Sequence, residues 1–258
     1  MANIPTTMRL SDLRIAVRQR SDMVNSQFIT DDELNSYINQ SGFELYDILV
    51  QKYGDDYNVA PPVTFFTNGT SQFYPLPDGV LTFMNAAGNN FVPPALYKFL
   101  GLDLGLSNTL DSFVTIRPFN FSERNRYAVP NFQSFYGVTN LRYRLNGSNL
   151  YLTPIPSQGQ RLQLWYIPRF NQLVNDTDTI DGISGWTEYV IIDAAIKCLQ
   201  KEESDTNVLM NQKQMMLNRI EAAAENRDAG NPATVGDTQS SDLWWPTGSG
   251  GGYGSGAF

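Results

Sequence analysis

Hydrophobic residues in this chain recur at helical spacing toward both ends and at every second position in between. That switch of period, from 3.6 to 2 and back, restricts the fold more than any other feature. Near the N-terminus, Leu34, Tyr37, Ile38, Leu45, Ile48 and Leu49 mark one face of a helix that reaches Tyr53. Thr30-Asp31-Asp32-Glu33 reads as a capping box, a side-chain acceptor followed three residues later by a glutamate. Its acids fall in the first turn, where the helix dipole favours them. Ser11 is placed to cap a shorter helix carrying Leu13 and Val17. Gly54 and the Pro61-Pro62 pair stop the long helix.

The middle reads as strands. Val63–Phe66 and Gln72–Leu76 are short β-type runs around the turn signal Asn68-Gly69. Leu141-Arg-Tyr-Arg-Leu145 alternates strictly, Asn146-Gly-Ser-Asn149 turns, and Leu150-Tyr-Leu152 returns. This predicts a hairpin with Leu141, Tyr143 and Leu145 on one face and Arg142 and Arg144 on the other. Leu162, Leu164 and Tyr166 give a further strand, and the stretches 77–94 and 128–140 read as long surface loops.

Helices then return. Ser184 or Thr187 opens a segment apolar on nearly all sides through Leu199, which predicts a buried helix. Asp193 and Lys197 form an i,i+4 pair on its one polar stripe. Ser204 and Asp205 cap a last helix, to about Asp228, with Leu209, Met216, Ile220 and Ala223 facing inward. Residues 229–258 hold eight of the 20 glycines and only two charges, a composition that cannot bury a core of its own. The segment still contains Trp244-Trp245-Pro246, Tyr253 and Phe258, aromatics of the kind that anchor interfaces.

The expectation is an α+β fold: a helical bundle built from N- and C-terminal helices, an inserted antiparallel β region and an extended C-terminal tail. The boundaries are 1–62, 63–170, 171–228 and 229–258. At 258 residues the chain suits one large domain or two small ones.

Composition removes several chemistries. There is no histidine, which excludes Ser-His-Asp and Cys-His catalysis and most zinc sites. The single cysteine, Cys198, lies on the apolar helix and reads as a buried structural thiol. No phosphate-cradling glycine loop occurs. Asp176-Thr-Asp178-Thr-Ile-Asp181-Gly182 departs from a calcium loop at its fifth position and reads as an Asx-rich turn. Two acids at suitable separation suffice for glycan hydrolysis, but the spacing selects no pair. No catalytic, metal or cofactor residue is assigned. No stretch reaches the roughly 18 apolar residues that span a bilayer, and the start carries no charged-then-apolar leader. The expectation is a protein made in a reducing cytosol, with no membrane partner.

Charge is segregated. Residues 1–116 are net −6, residues 117–169 net +6, and residues 170–258 net −8. The basic block holds seven arginines and one acid, Glu123, interleaved with ten aromatics. Three readings suit it: a single-strand nucleic-acid platform, a sheet with an aromatic core face and an arginine-bearing wet face, or pairing with acidic surface of a neighbouring copy. The last makes Arg117, Arg124, Arg126, Arg142 and Arg144 inter-subunit residues. Trp244, Trp245, Tyr253 and Phe258 are the candidate partner-binding anchors.

Four segments in order, Leu34-Asn-Ser-Tyr-Ile-Asn-Gln-Ser-Gly-Phe-Glu-Leu-Tyr46, Phe119-Asn-Phe-Ser-Glu-Arg-Asn-Arg-Tyr127, Arg142-Tyr-Arg-Leu-Asn-Gly-Ser-Asn-Leu-Tyr151 and Asp193-Ala-Ala-Ile-Lys-Cys-Leu-Gln-Lys-Glu-Glu203, carry a resemblance. Over residues 8–228 the chain resembles the head-to-tail adaptor, or connector, proteins of tailed bacteriophages. The resemblance implies a structural virion protein and not an enzyme. It implies a ring, commonly of twelve copies, that joins the portal protein of a DNA-filled head to tail proteins. Double-stranded DNA passes through such a ring without sequence-specific binding. It implies a place at the head–tail junction after synthesis in the host bacterial cytoplasm. A tail-tube or receptor-binding subunit is the alternative within virion structure, and a carboxylate-pair hydrolase the alternative outside it.

Overall fold

The computed structural model describes residues 8–25, 28–85, 87–106, 112–127, 141–180 and 185–225. The glycine-rich segment with Trp244, Trp245, Tyr253 and Phe258, and the expected loop 128–140, lie outside the described residues.

The chain is mixed α+β, with five helices and two sheets among the described residues. Helix α1 (Leu10–Arg20) buries Leu10, Leu13 and Val17. Ser11 does not cap it. Arg9 stands at the cap, and the amides of Leu10 and Ser11 bond to the carbonyls of Asp178 and Asp176 at 2.9 and 3.3 Å. The returning segment thus supplies the acceptors expected from a side chain. Helix α2 (Asp31–Tyr53) starts as the sequence predicts, with the Thr30 hydroxyl accepting from the Glu33 amide at 3.3 Å. The Glu33 carboxylate does not close the box. It accepts from Tyr37 and from Lys201 of helix α4 (Thr187–Lys201), at 2.9 and 2.6 Å, and so ties two elements together.

One-turn helix α3 (Arg124–Tyr127) lies in the β region, and α5 (Asn207–Glu225) ends the described chain. Helices α1, α2, α4 and α5 share one hydrophobic core, with Leu13, Ile38, Leu45, Val190, Ala195 and Ile220 among its fully buried residues. Gly42 lets α2 close on the chain beyond the sheet, because a Cβ there would stand 2.7 Å from the Phe170 ring.

The β region is two sheets, not one. The larger has the order β4 (Asn90–Phe91), β3 (Phe83–Met84), β1 (Val63–Phe66), β10 (Arg161–Pro168), β5 (Leu96–Gly105), β6 (Phe113–Thr115), all antiparallel. The smaller has the order β2 (Phe73–Pro75), β9 (Asn149–Thr153), β8 (Arg142–Asn146), β7 (Arg117–Pro118). Its β7–β8 pair is parallel. The runs flanking Asn68-Gly69 are therefore not a hairpin, since β1 and β2 belong to different sheets. Asn68 Oδ1 accepts from the amides of Thr70 and Ser71, an Asx turn that redirects the chain. The stretch 77–94 is not wholly loop either, because it contributes β3 and β4.

The sheets pack face to face through Tyr74, Leu150 and Leu152 on one side and Leu102, Leu104, Leu162 and Leu164 on the other. At one end the larger sheet separates this core from the helical one. There Phe99 and Tyr166 face the sheet core, while Leu100 and Ile167 face the helices. A register shift between Trp165 and Tyr166 marks this end.

Candidate functional site: an arginine and aromatic sheet face

The outer face of the smaller sheet points away from the larger sheet. Alternation along β8 sends Tyr143 inward and leaves Arg142 and Arg144 outside, as the hairpin pattern predicts. Leu145, expected inside, is exposed beside the turn. The outer face is not simply arginine-bearing, because aromatics lie on it too. Cross-strand register aligns Phe73, Tyr151 and Arg144 in one row, and the Phe73 and Tyr151 rings are 4.9 Å apart.

The segment after β7 covers this face and supplies two rings. Phe121 is 58% exposed, with the guanidinium groups of Arg124 and Arg144 at 4.7 and 5.3 Å from its centroid. Tyr127 carries those of Arg142 and Arg126 at 5.4 and 5.9 Å. Each ring thus faces two cations, one from the covering segment and one from the sheet. Arg124 also donates to the Phe121 carbonyl at 3.2 Å. Arg117 is exposed on β7, in register with Arg142. Glu123, 3.8 Å from Arg126, is the one carboxylate that pairs with these five arginines among the described residues. Arg142 Nε is buried without a hydrogen-bond partner among them.

A guanidinium held over a ring keeps N–H groups for other partners. Such groups bind carboxylate or phosphate in forked geometry. The five arginines named from sequence therefore come together. Arg161 and Arg169 of the same block do not join them: Arg161 is buried over Phe113, and Arg169 lies over Phe43 of α2. Sequence reasoning missed Phe121 and Tyr127 as the organising rings. Their signal is an aromatic three residues before Arg124 and another next to Arg126.

A second charge constellation, between α2, α4 and α5, is internal. Asp193 is only 3% exposed, so the polar stripe expected on α4 is buried. Its carboxylate meets Lys197 at 2.7 Å and Lys213 of α5 at 2.8 Å, and Lys213 meets Glu44 of α2 at 2.7 Å. Burial pushes the Asp193 carboxyl upward, but Lys197, Lys213 and Ser41 together outweigh it and hold it below the usual range. Burial pulls Lys213 down, but bonds from Asp193 and Glu44 leave it raised. Cys198 is buried and its thiol is pushed up to about 11, chiefly by burial, the opposite of nucleophile activation. Asp178 accepts from the amides of Val174 and Asn175, both at 2.8 Å, and Asp176 pairs with Arg14, so this motif serves as a turn and a clasp for α1. Among the described residues, no cluster of three or more Cys, Asp or Glu is placed to hold a metal ion, and no helix is long and apolar enough to cross a membrane.

No curated protein matches the chain. The model of one protein family, described as SU10 adaptor protein, matches residues 8–236, which takes in every described element. The chain belongs to this family of phage adaptor proteins.

Proposed function

We propose that the chain is a structural virion subunit whose copies form a ring, twelve by family resemblance, between the portal protein of a DNA-filled head and the tail. In this reading the helices act as one bundle with residues 63–170 inserted, and residues 229–258 extend as an arm. Trp244 and Trp245, with Tyr253 and Phe258 beyond them, anchor that arm on portal, a neighbouring adaptor or a tail protein. Arg117, Arg124, Arg126, Arg142 and Arg144 contact acidic groups of an adjacent copy. The role is mechanical, without catalysis, metal or cofactor, at the head–tail junction after synthesis in the host cytoplasm.

The observation that carries the reading is the exposed arginine and aromatic face on a chain of an adaptor family. Arginine and aromatic side chains are enriched where protein surfaces meet. The rest of the chain is acidic, and a channel wall with excess negative charge repels phosphate, which suits DNA in transit. The test is a virus lacking this chain. DNA-filled heads without attached tails are expected, with joining restored when the protein is supplied. Particles with tails attached in its absence would refute the reading.

A further inference from the structure

The arginine face has a complement elsewhere on the same chain. The turn between α4 and α5 carries Glu202, Glu203 and Asp205, all exposed. It sits beside the start of α2, because Lys201 bonds to Glu33 at 2.6 Å and its ammonium lies 4.9 Å from the centre of the Phe28 ring. Exposed Asp32 adds a fourth carboxylate. Asp31 and Glu33 are taken by Arg14, Arg18 and Lys201, so they add little to the surface charge. Two large apolar side chains stand at this tip, Phe28 at 52% and Val208 at 66% exposure. The tip is thus acidic with apolar anchors, and the sheet face is basic with aromatic anchors.

The two surfaces of one chain cannot meet. From Glu33, α2 runs about 20 Å to Tyr46, whose hydroxyl donates to the Pro168 carbonyl of β10 and whose ring packs on Tyr97 of β5. The arginine face lies beyond that sheet, about another 10 Å away, on the outer side of the second layer. We infer that the arginine face of one copy mates with the acidic α4–α5 tip of a second copy. The contact is heterologous, one patch meeting a different patch, so an open assembly keeps one free face and one free tip at its two ends until it closes. It rests on the adaptor reading only for self-assembly, and adds to it the mating partner of the arginines.

Full-length protein tests this by sedimentation velocity at low and high ionic strength. Arg117→Glu with Arg144→Glu reverses the face, and Glu202→Lys with Glu203→Lys reverses the tip. All four positions are exposed, so thermal unfolding should match the parent. Each double variant is expected to associate roughly tenfold more weakly at low ionic strength, with the difference shrinking as salt screens it. The chain carrying all four reversals should regain parental association, and so should an equal mixture of the two double variants, because each then presents opposite charges at every contact. A parent that stays monomeric, a double variant that associates like the parent, or a four-fold variant that is not rescued would overturn the inference. Tail attachment is read separately: failed rescue with intact head–tail joining removes this pairing of surfaces and leaves the adaptor reading standing.

Discussion

Asp193 is the residue whose removal should be felt most in the helical core. It brings a nearly buried carboxylate to two ammonium groups, and Glu44 balances the second. Asp193→Ala leaves two ammonium groups to share Glu44, with Ser41 accepting from Lys197, and breaking a buried pair in this way costs about 3 kcal/mol. Because the folded-state value of Asp193 is depressed, its contribution is complete above the ordinary aspartate range of about pH 3.9 and fades as pH falls through the lower folded value. Lys213 is raised, so its contribution is complete below the ordinary lysine range and is lost only in strong alkali. Denaturant unfolding at neutral and acid pH checks this. The parent should lose stability in acid and Asp193→Ala should lose less; equal stability of the two at pH 7 would show the cluster to be dispensable. The Asp193–Lys197 half was legible from i,i+4 spacing. Glu44 and Lys213 were not, because their approach depends on how three helices pack, which no local pattern records.

Between elements, strand pairing escaped the sequence, and so did the strands β3 to β7 themselves. Helix α2 announces itself through Thr30 and a sustained 3.6 period, and the β8–β9 hairpin through alternation around a Gly-Ser loop. Gly147 adopts φ 58° there, so only the first loop residue needs the left-handed conformation that glycine tolerates. Gly147→Val should cost about 1 kcal/mol or more and loosen the register that holds Arg144 over Phe121. Amide exchange of β8 and β9 measures it: faster exchange confined to the smaller sheet is expected, and unchanged protection would show the turn to be unimportant. The strands β1 and β2, by contrast, flank a turn signal yet join different sheets. Their partners β10 and β9 lie far along the chain, and long-range pairing is chosen by burial of whole faces rather than by neighbouring residues.

At the scale of the whole molecule, segregated charge is the feature that links sequence to assembly. The −6, +6, −8 blocks were legible at once, and folding sharpens the basic block by gathering four of its seven arginines on two rings, with Arg117 in register beside Arg142, while Arg161 and Arg169 turn to other partners. In the proposed reading this surface is the contact with another copy, and family membership identifies the setting as a phage particle. Native mass spectrometry of the full chain, alone and with the portal protein of the same virus, tests the adaptor role most directly. The expected result is a single closed oligomer that binds portal at a fixed stoichiometry, twelve copies to one portal ring. A chain that remains monomeric or trimeric and ignores portal at every ionic strength would contradict it.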